Sequence, residues 1–171
     1  MTVWIDADSC PVRVREIVAR AARSREFRAV FVANRGIPVP KNAFVSAVIV
    51  EKTEGSADEF LCAQAAGGDL VITRDIPLAA RLVRQGVRAI NDRGDIFTPE
   101  TISERLSLRN FMKDLRDSGL YASPEGSFGP KEVQLFSNAF DRELTRLKAG
   151  ANVAGGLLTA GENGSAFGPP A

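Results

Sequence analysis

Residues 2–5 (TVWI) form a short apolar run closed by Asp6, a pattern that predicts a buried strand. Residues 11–23 switch to helical spacing, with Val14, Ile17, Val18 and Ala21 on one face and Arg13, Glu16, Arg20 and Arg23 on another. Residues 27–33 and 47–50 predict two more strands, separated by the turn-rich NRGIPVPKN. A helix is expected over 56–66, where SADE reads as a capping box with Ser56 as the cap and Glu59 reaching back. A strand at 70–73, a helix at 76–85 and a strand at 87–91 continue the alternation. None of these strands alternates cleanly between apolar and polar, so both sheet faces should be covered. The predicted fold class is therefore α/β, a parallel sheet flanked by helices.

From Thr98 the pattern is helical only. Thr98-Pro99 supplies a cap followed by proline at the first helical position, and Ile102, Leu106, Phe111, Met112 and Leu115 predict one long or two broken helices. After the loop SGLYASPEGSFGP, Val133, Phe136, Phe140, Leu144 and Leu147 mark a last amphipathic helix. Residues 149–171 hold six of the fifteen glycines and a single charge, and a disordered tail is expected there. Residues 1–148 are read as one domain, with 98–148 as a helical extension packed on it.

Composition narrows the chemistry. The chain has 171 residues, 22 Lys+Arg, 21 Asp+Glu and no histidine. Ser-His-Asp and Cys-His nucleophile systems are excluded, as are His-bearing zinc sites. Cys10 and Cys62 are too few for a disulfide framework or a tetrathiolate metal site. MTVWIDADS lacks the basic start of a signal peptide, and no apolar run reaches the ~18 residues of a membrane span. A reduced, cytoplasmic protein with no membrane association is expected. The net charge of +1 gives no global attraction to polyanions, although residues 10–28 carry six arginines against two glutamates. That local excess reads either as a solvated helix face or as a binding face.

Acid-base work must then fall to carboxylates or to metal-bound water. In an open parallel sheet the strands deliver their C-terminal ends to one edge, where ligands bind. On the predicted order, Asp6 and Asp8 follow the first strand, Asp75 follows LVIT, Asp92 and Asp95 follow RAIN, and Asp58 sits in the first turn of the SADE helix. Converging carboxylates repel unless a cation neutralises them, and oxygen-only ligands favour Mg²⁺ or Mn²⁺. Each acid also has a structural alternative: Asp8 or Ser9 could cap the helix opened by Pro11, Asp75 could cap the next, and Asn91-Asp92-Arg93-Gly94 reads as a turn. Arg74, Arg93 and Arg109 are candidates for holding a substrate phosphate or for pairing with the acids.

WIDADSCPV, SADEFL, DLVITRDIPLAARL, INDRGDIFT, LRNFMKDLRDSG and FGPKEVQLFSNAFDREL together resemble the YaiI/YqxD family of uncharacterised bacterial proteins over residues 2–147. The first part also resembles the PIN-like nuclease superfamily, with Asp6 ending the first strand, Asp58 at the start of a middle helix, and Thr73-Arg74-Asp75-Ile76-Pro77-Leu78 as its T-x-D-x-x-L block. The resemblance implies a metal-dependent phosphodiesterase that cuts RNA. Asp6, Asp58 and Asp75 would be its Mg²⁺ or Mn²⁺ ligands, Asp8 and Asp92 its supporting acids, and Arg74, Arg93 and Arg109 its phosphate contacts. Residues 100–147 have no PIN counterpart. Two alternatives stand beside this one. The first is a non-catalytic module binding RNA or a protein partner. The second is a haloacid-dehalogenase-like phosphatase suggested by Asp6-Ala7-Asp8, against which Arg74 stands where a lysine is expected.

Overall fold

The computed structural model describes residues 1–121 and 128–159. The strands are β1 (Thr2–Asp6), β2 (Arg28–Ala33), β3 (Val45–Ile49), β4 (Leu70–Ile72), β5 (Arg88–Ile90) and β6 (Ile96–Phe97). The helices are α1 (Val12–Arg25), α2 (Ser56–Gln64), α3 (Ile76–Arg84), α4 (Pro99–Asp117) and α5 (Pro130–Thr159). The six strands lie in the order β3-β2-β1-β4-β5-β6; all neighbouring pairs are parallel except β5 with β6. The expected α/β class is therefore observed. β6 is an addition, because two residues are too short a run to signal a strand.

The missing polar alternation has a direct cause. Val3 and Ile5 of β1, Ala29, Phe31 and Ala33 of β2, and Leu70 and Ile72 of β4 enter one core with α1 and α5. The intervening Trp4, Val30, Val32 and Val71 enter a second core with α2 and α3. A third, smaller core joins Ala79, Ala80 and Val83 of α3 to Ala89, Phe97 and Ile102. Each interior strand is thus buried on both sides, which at ~25 cal/mol per Å² of apolar surface makes the sheet the main source of stability.

Polar contacts fix the layers. Asp69 accepts hydrogen bonds from Thr2 N at 2.6 Å and Trp4 Nε1 at 3.1 Å, tying the start of β1 to the turn before β4. On α5, the buried Glu143 pairs with Arg88 of β5, Asp141 pairs with Arg25, and Lys148 donates to the Arg25 carbonyl. The apolar face expected of α5 is present, with Phe136, Phe140 and Leu144 buried. The helix does not stop at 148, where the tail was expected to begin, but continues to Thr159. Helix-forming alanines and leucines at 149, 151, 154, 157 and 158 offset the glycines there. The remainder of the expected tail, 160–171, lies outside the described residues, as do 122–127 of the preceding loop. α4 is one helix, started by the Thr98 cap as anticipated. Among the described residues no helix is long and apolar enough to cross a membrane.

α5 reaches the sheet edge by leaning on the β5–β6 turn. A Cβ on Gly94, whose φ is +86°, would stand 2.6 Å from the Leu135 carbonyl oxygen and 3.1 Å from the Ala139 Cβ. Gly55 has φ +78° with open space around it. Gly94→Ala should therefore cost about 2–4 kcal/mol from backbone strain plus overpacking, against about 1–2 kcal/mol from strain alone for Gly55→Ala. Urea unfolding measures both, and equal losses would contradict the close packing at Gly94.

Candidate functional site

The sheet order reverses at β1, which has β2 on one side and β4 on the other. A parallel sheet opens a crevice at such a point, outside the strand C-termini. The parallel register pairs Ile5 with Ile72, so the next residues, Asp6 and Thr73, lie opposite each other at the mouth of the crevice. Both are buried, at 5% and 0% exposure. A buried carboxylate is costly unless it is bonded. Thr73 Oγ1 donates to Asp6 Oδ2 at 2.8 Å, and the same hydroxyl accepts from Asp75 N at 3.0 Å. One threonine thus orients the end of β1 and the turn after β4. Ser9 adds a second tie, donating to the Asp6 carbonyl at 3.3 Å and accepting from Arg74 N at 3.2 Å.

Asp6, Asp8, Asp58 and Asp75 line a single cleft of about 560 Å³. They come from three segments: the β1–α1 turn, the first turn of α2 and the β4–α3 turn. Asp75 does cap α3, accepting from Leu78 N at 2.8 Å through Oδ1. Capping and cleft lining are thus compatible in one residue. Asp8 does not cap α1, and neither does Ser9, because Pro11 is the N-cap and no side-chain cap bond is made. Asp8 instead accepts from Asn34 N at 2.6 Å and meets Arg35 at 3.4 Å, which anchors it to the end of β2.

The capping box expected at SADE is absent. Gly55, in the left-handed conformation, is the N-cap of α2, and no side-chain cap bond is made. Ser56 Oγ is taken by the preceding turn, bonding to the Thr53 carbonyl at 3.0 Å and to the Glu51 carbonyl. Glu59 turns to Arg81 at 2.9 Å. Asp58 is therefore directed to the cleft beside the other acids. Burial, then the Asp75 and Asp6 carboxylates, push its carboxyl from 3.8 up to about 6, against the pull of Arg81.

Asp92 is set apart from this group. It is 3% exposed and meets Arg74 Nε at 3.6 Å. Burial raises its pKa, while Arg74 and Arg93 act in the opposite direction. Arg74 is thus paired with an acid, and Arg93 lies in the adjoining β5–β6 turn. Arg109 stands apart on α4, where its guanidinium meets Asn110 at 3.1 Å. Cys10, packed beneath the site, donates to the Ile72 carbonyl at 3.7 Å, and burial drives its thiol pKa well upward, so it has no thiolate to offer. In the sequence Thr73 stands out only as part of the T-x-D-x-x-L block and Ser9 only as a possible cap of α1; their bonds to Asp6 and Arg74 follow from β1 and β4 being neighbours. Among the described residues no group of three His, Cys, Asp or Glu side chains is placed to hold one metal ion.

The chain matches the profile of a family described as uncharacterised, the YaiI/YqxD family, over residues 4–146. It is 51% identical over 146 residues to a UPF0178 protein of Treponema denticola, covering 85% of this chain and 93% of that one. A UPF0178 protein of Syntrophobacter fumaroxidans is 48% identical, with 85% and 95% covered. One from Myxococcus xanthus is 46% identical, with 86% and 96% covered. No solved structure matches the chain.

The electrostatics of Asp58 set a sign for pH dependence. Its folded pKa, about 6, lies above the unfolded value near 3.8, so the folded state holds the extra proton between these limits. The associated stabilisation is complete below about pH 4 and is lost as pH rises through about 6, and Asp92 acts in the same direction. In thermal unfolding, Asp58→Asn should gain on the wild type as pH rises through that window. A constant difference from pH 4 to 7 would contradict the upward push assigned to burial and to the Asp75 and Asp6 carboxylates.

Proposed function

The chain belongs to the YaiI/YqxD family, and from that premise we propose that it is a PIN-like, metal-dependent phosphodiesterase acting on RNA. The observation that carries the reading is the gathering of Asp6, Asp8, Asp58 and Asp75 from three chain segments into one cleft at the point where the sheet order reverses. A fold needs no such convergence for stability. It works against stability, since like charges repel and part of their solvation is lost.

The donor chemistry suits Mg²⁺ or Mn²⁺. Every charged group lining the cleft is a carboxylate, and a hard cation selects oxygen. Mg²⁺ keeps several waters and takes one or two carboxylates, so a closed cage of three acids around one point is not required. Of Asp6, Asp58 and Asp75, one or two would bind the ion directly and the rest would reach it through its waters, with Asp8 beside them. When bound, such an ion supplies a nucleophilic water at neutral pH and stabilises charge on the phosphoryl oxygens.

The chain's own residues have separate tasks. Thr73 holds the Asp6 carboxylate in one rotamer by its 2.8 Å bond and spares the other carboxylate oxygen from that role. Asp75 is fixed by its capping bond, which leaves its direction independent of any ligand. Arg74, whose side chain is half exposed and only loosely paired with Asp92 at 3.6 Å, can turn to a substrate phosphate. Arg93 lies one strand further along the same edge. The aspartyl-phosphate alternative fits less well, because Asp6 is 5% exposed and gives Oδ2 to Thr73.

Cleavage of a mixed RNA pool in Mn²⁺ tests the reading. Asp6→Asn and Asp58→Asn should each lower the rate by about 100-fold or more, as loss of charge stabilisation at a reacting phosphate does. Thr73→Val, which keeps the shape and removes the hydroxyl, should lower it by about 10- to 100-fold, as loss of a ligand-orienting partner does. Equal rates in wild type and Asp6→Asn, or rates indifferent to Mn²⁺, would overturn the proposal.

A further inference from the structure

α4 is a much longer helix than its packing on α3 requires. β6 runs antiparallel to β5, so it delivers the chain to the sheet edge opposite the acids, and α4 starts there, with Thr98 and Pro99 beside Val83 and Gly86 at the end of α3. The two helices are therefore antiparallel, and Leu106 of α4 packs with the same cluster as Ile76, the first residue of α3. α4 has 19 residues against nine in α3. At 1.5 Å per residue the ten extra residues carry it about 15 Å beyond the start of α3, on the side where the acidic cleft opens. No residue from 107 to 117 is buried.

The helix changes character where it leaves α3. Ile102, Leu106, Arg109, Lys113 and Arg116 follow one another at spacings of four, three, four and three. At 3.6 residues per turn they occupy one arc of roughly 80°. The first two fill that arc with apolar contacts to the α3 cluster. The last three continue it as a row of cations. Arg109 is partly buried and Lys113 and Arg116 are exposed, so the row carries the arc of Ile102 and Leu106 out past the start of α3 into solvent. The two acids of the stretch, Asp114 and Asp117, lie toward one flank of the row.

We propose that Arg109, Lys113 and Arg116 form a binding arm for the phosphate backbone of single-stranded RNA and lead it into the acidic cleft; this rests on, and deepens, the nuclease reading. In the sheet order β1-β4-β5-β6 the β5–β6 turn and the end of β4 lie between α4 and the acids of β1. From the α4 row it passes Arg93 in the β5–β6 turn and Arg74 at the end of β4, and reaches Asp75 and Asp6 beside them. Cations spaced along a line match phosphates spaced along a chain, and the acids at the end of the line would repel the same backbone unless a divalent ion received it. A net charge of only +1 is no obstacle, since the attraction is local.

Binding without cleavage separates this inference from the activity it rests on. Fluorescence anisotropy of a fluorescein-labelled oligouridylate, titrated in EDTA, should show salt-dependent binding by the wild type. Arg109→Glu/Lys113→Glu/Arg116→Glu should weaken it by about tenfold or more and lower the slope of log K against log salt by about 2, near 0.7 per lost phosphate contact. Arg13→Glu/Arg20→Glu/Arg23→Glu, the same charge change on α1, should bind as the wild type does. Unchanged binding by the α4 variant would overturn the proposal. So would a wild type that binds no RNA, which would leave the row to a protein partner. If the row governs RNA binding while Mn²⁺ supports no cleavage, the nuclease reading falls and the arm stands.

Discussion

The hydrogen bond from Thr73 to Asp6 is the contact on which the rest of the site depends. It joins residues 67 positions apart, across the β1–β4 pair at which the sheet order reverses. A carboxylate at the buried end of a central strand carries a desolvation cost of several kcal/mol, and the threonine hydroxyl is the partner that offsets part of it. Because the same hydroxyl accepts from the Asp75 backbone, the position of Asp6 sets where α3 begins. From α3 follow the placement of Asp75 as a cap, the Arg81–Glu59 pair that steadies α2, and through α2 the approach of Asp58. The acidic cleft is thus a consequence of how the two central strands end.

The two faces of the sheet have different duties. On one, α1 and α5 bury the larger core, and α5 is pinned at three places by Asp141, Glu143 and Lys148. That face is held firmly and contributes no residue to the cleft beyond the turn that opens α1. On the other, the short α2 and α3 carry the acids, and α4 continues beyond them. Polar chemistry is concentrated where helices are short and begin at the sheet edge, which is where backbone N–H groups are available to hold carboxylates in place.

Much of this was legible in the residues. Unbroken apolar runs such as LVI report strands covered on both faces, and Asp75-Ile76-Pro77-Leu78 carries its cap and its proline two positions apart. Thr98-Pro99 is equally local. The failures share a cause: they depend on a partner distant in sequence or on the direction of the entering chain. Ser56 has the composition of a cap, yet Gly55 turns the chain left-handed and the serine hydroxyl is consumed by carbonyls behind it. Glu59 is drawn off by Arg81, 22 positions away. Asp8 takes its partners from the end of β2, and Arg109 sits on α4 against Asn110 rather than among the acids. Local spacing cannot show any of these, because each is decided by which elements become neighbours.

The most direct measurement is anomalous diffraction from a crystal soaked in Mn²⁺. Manganese density within coordination reach of Asp6 and of Asp58 or Asp75 is the result predicted. An ordered cleft that takes up no manganese at saturating concentration, with its carboxylates held instead by arginines, would contradict the reading of this edge as a site for a divalent cation.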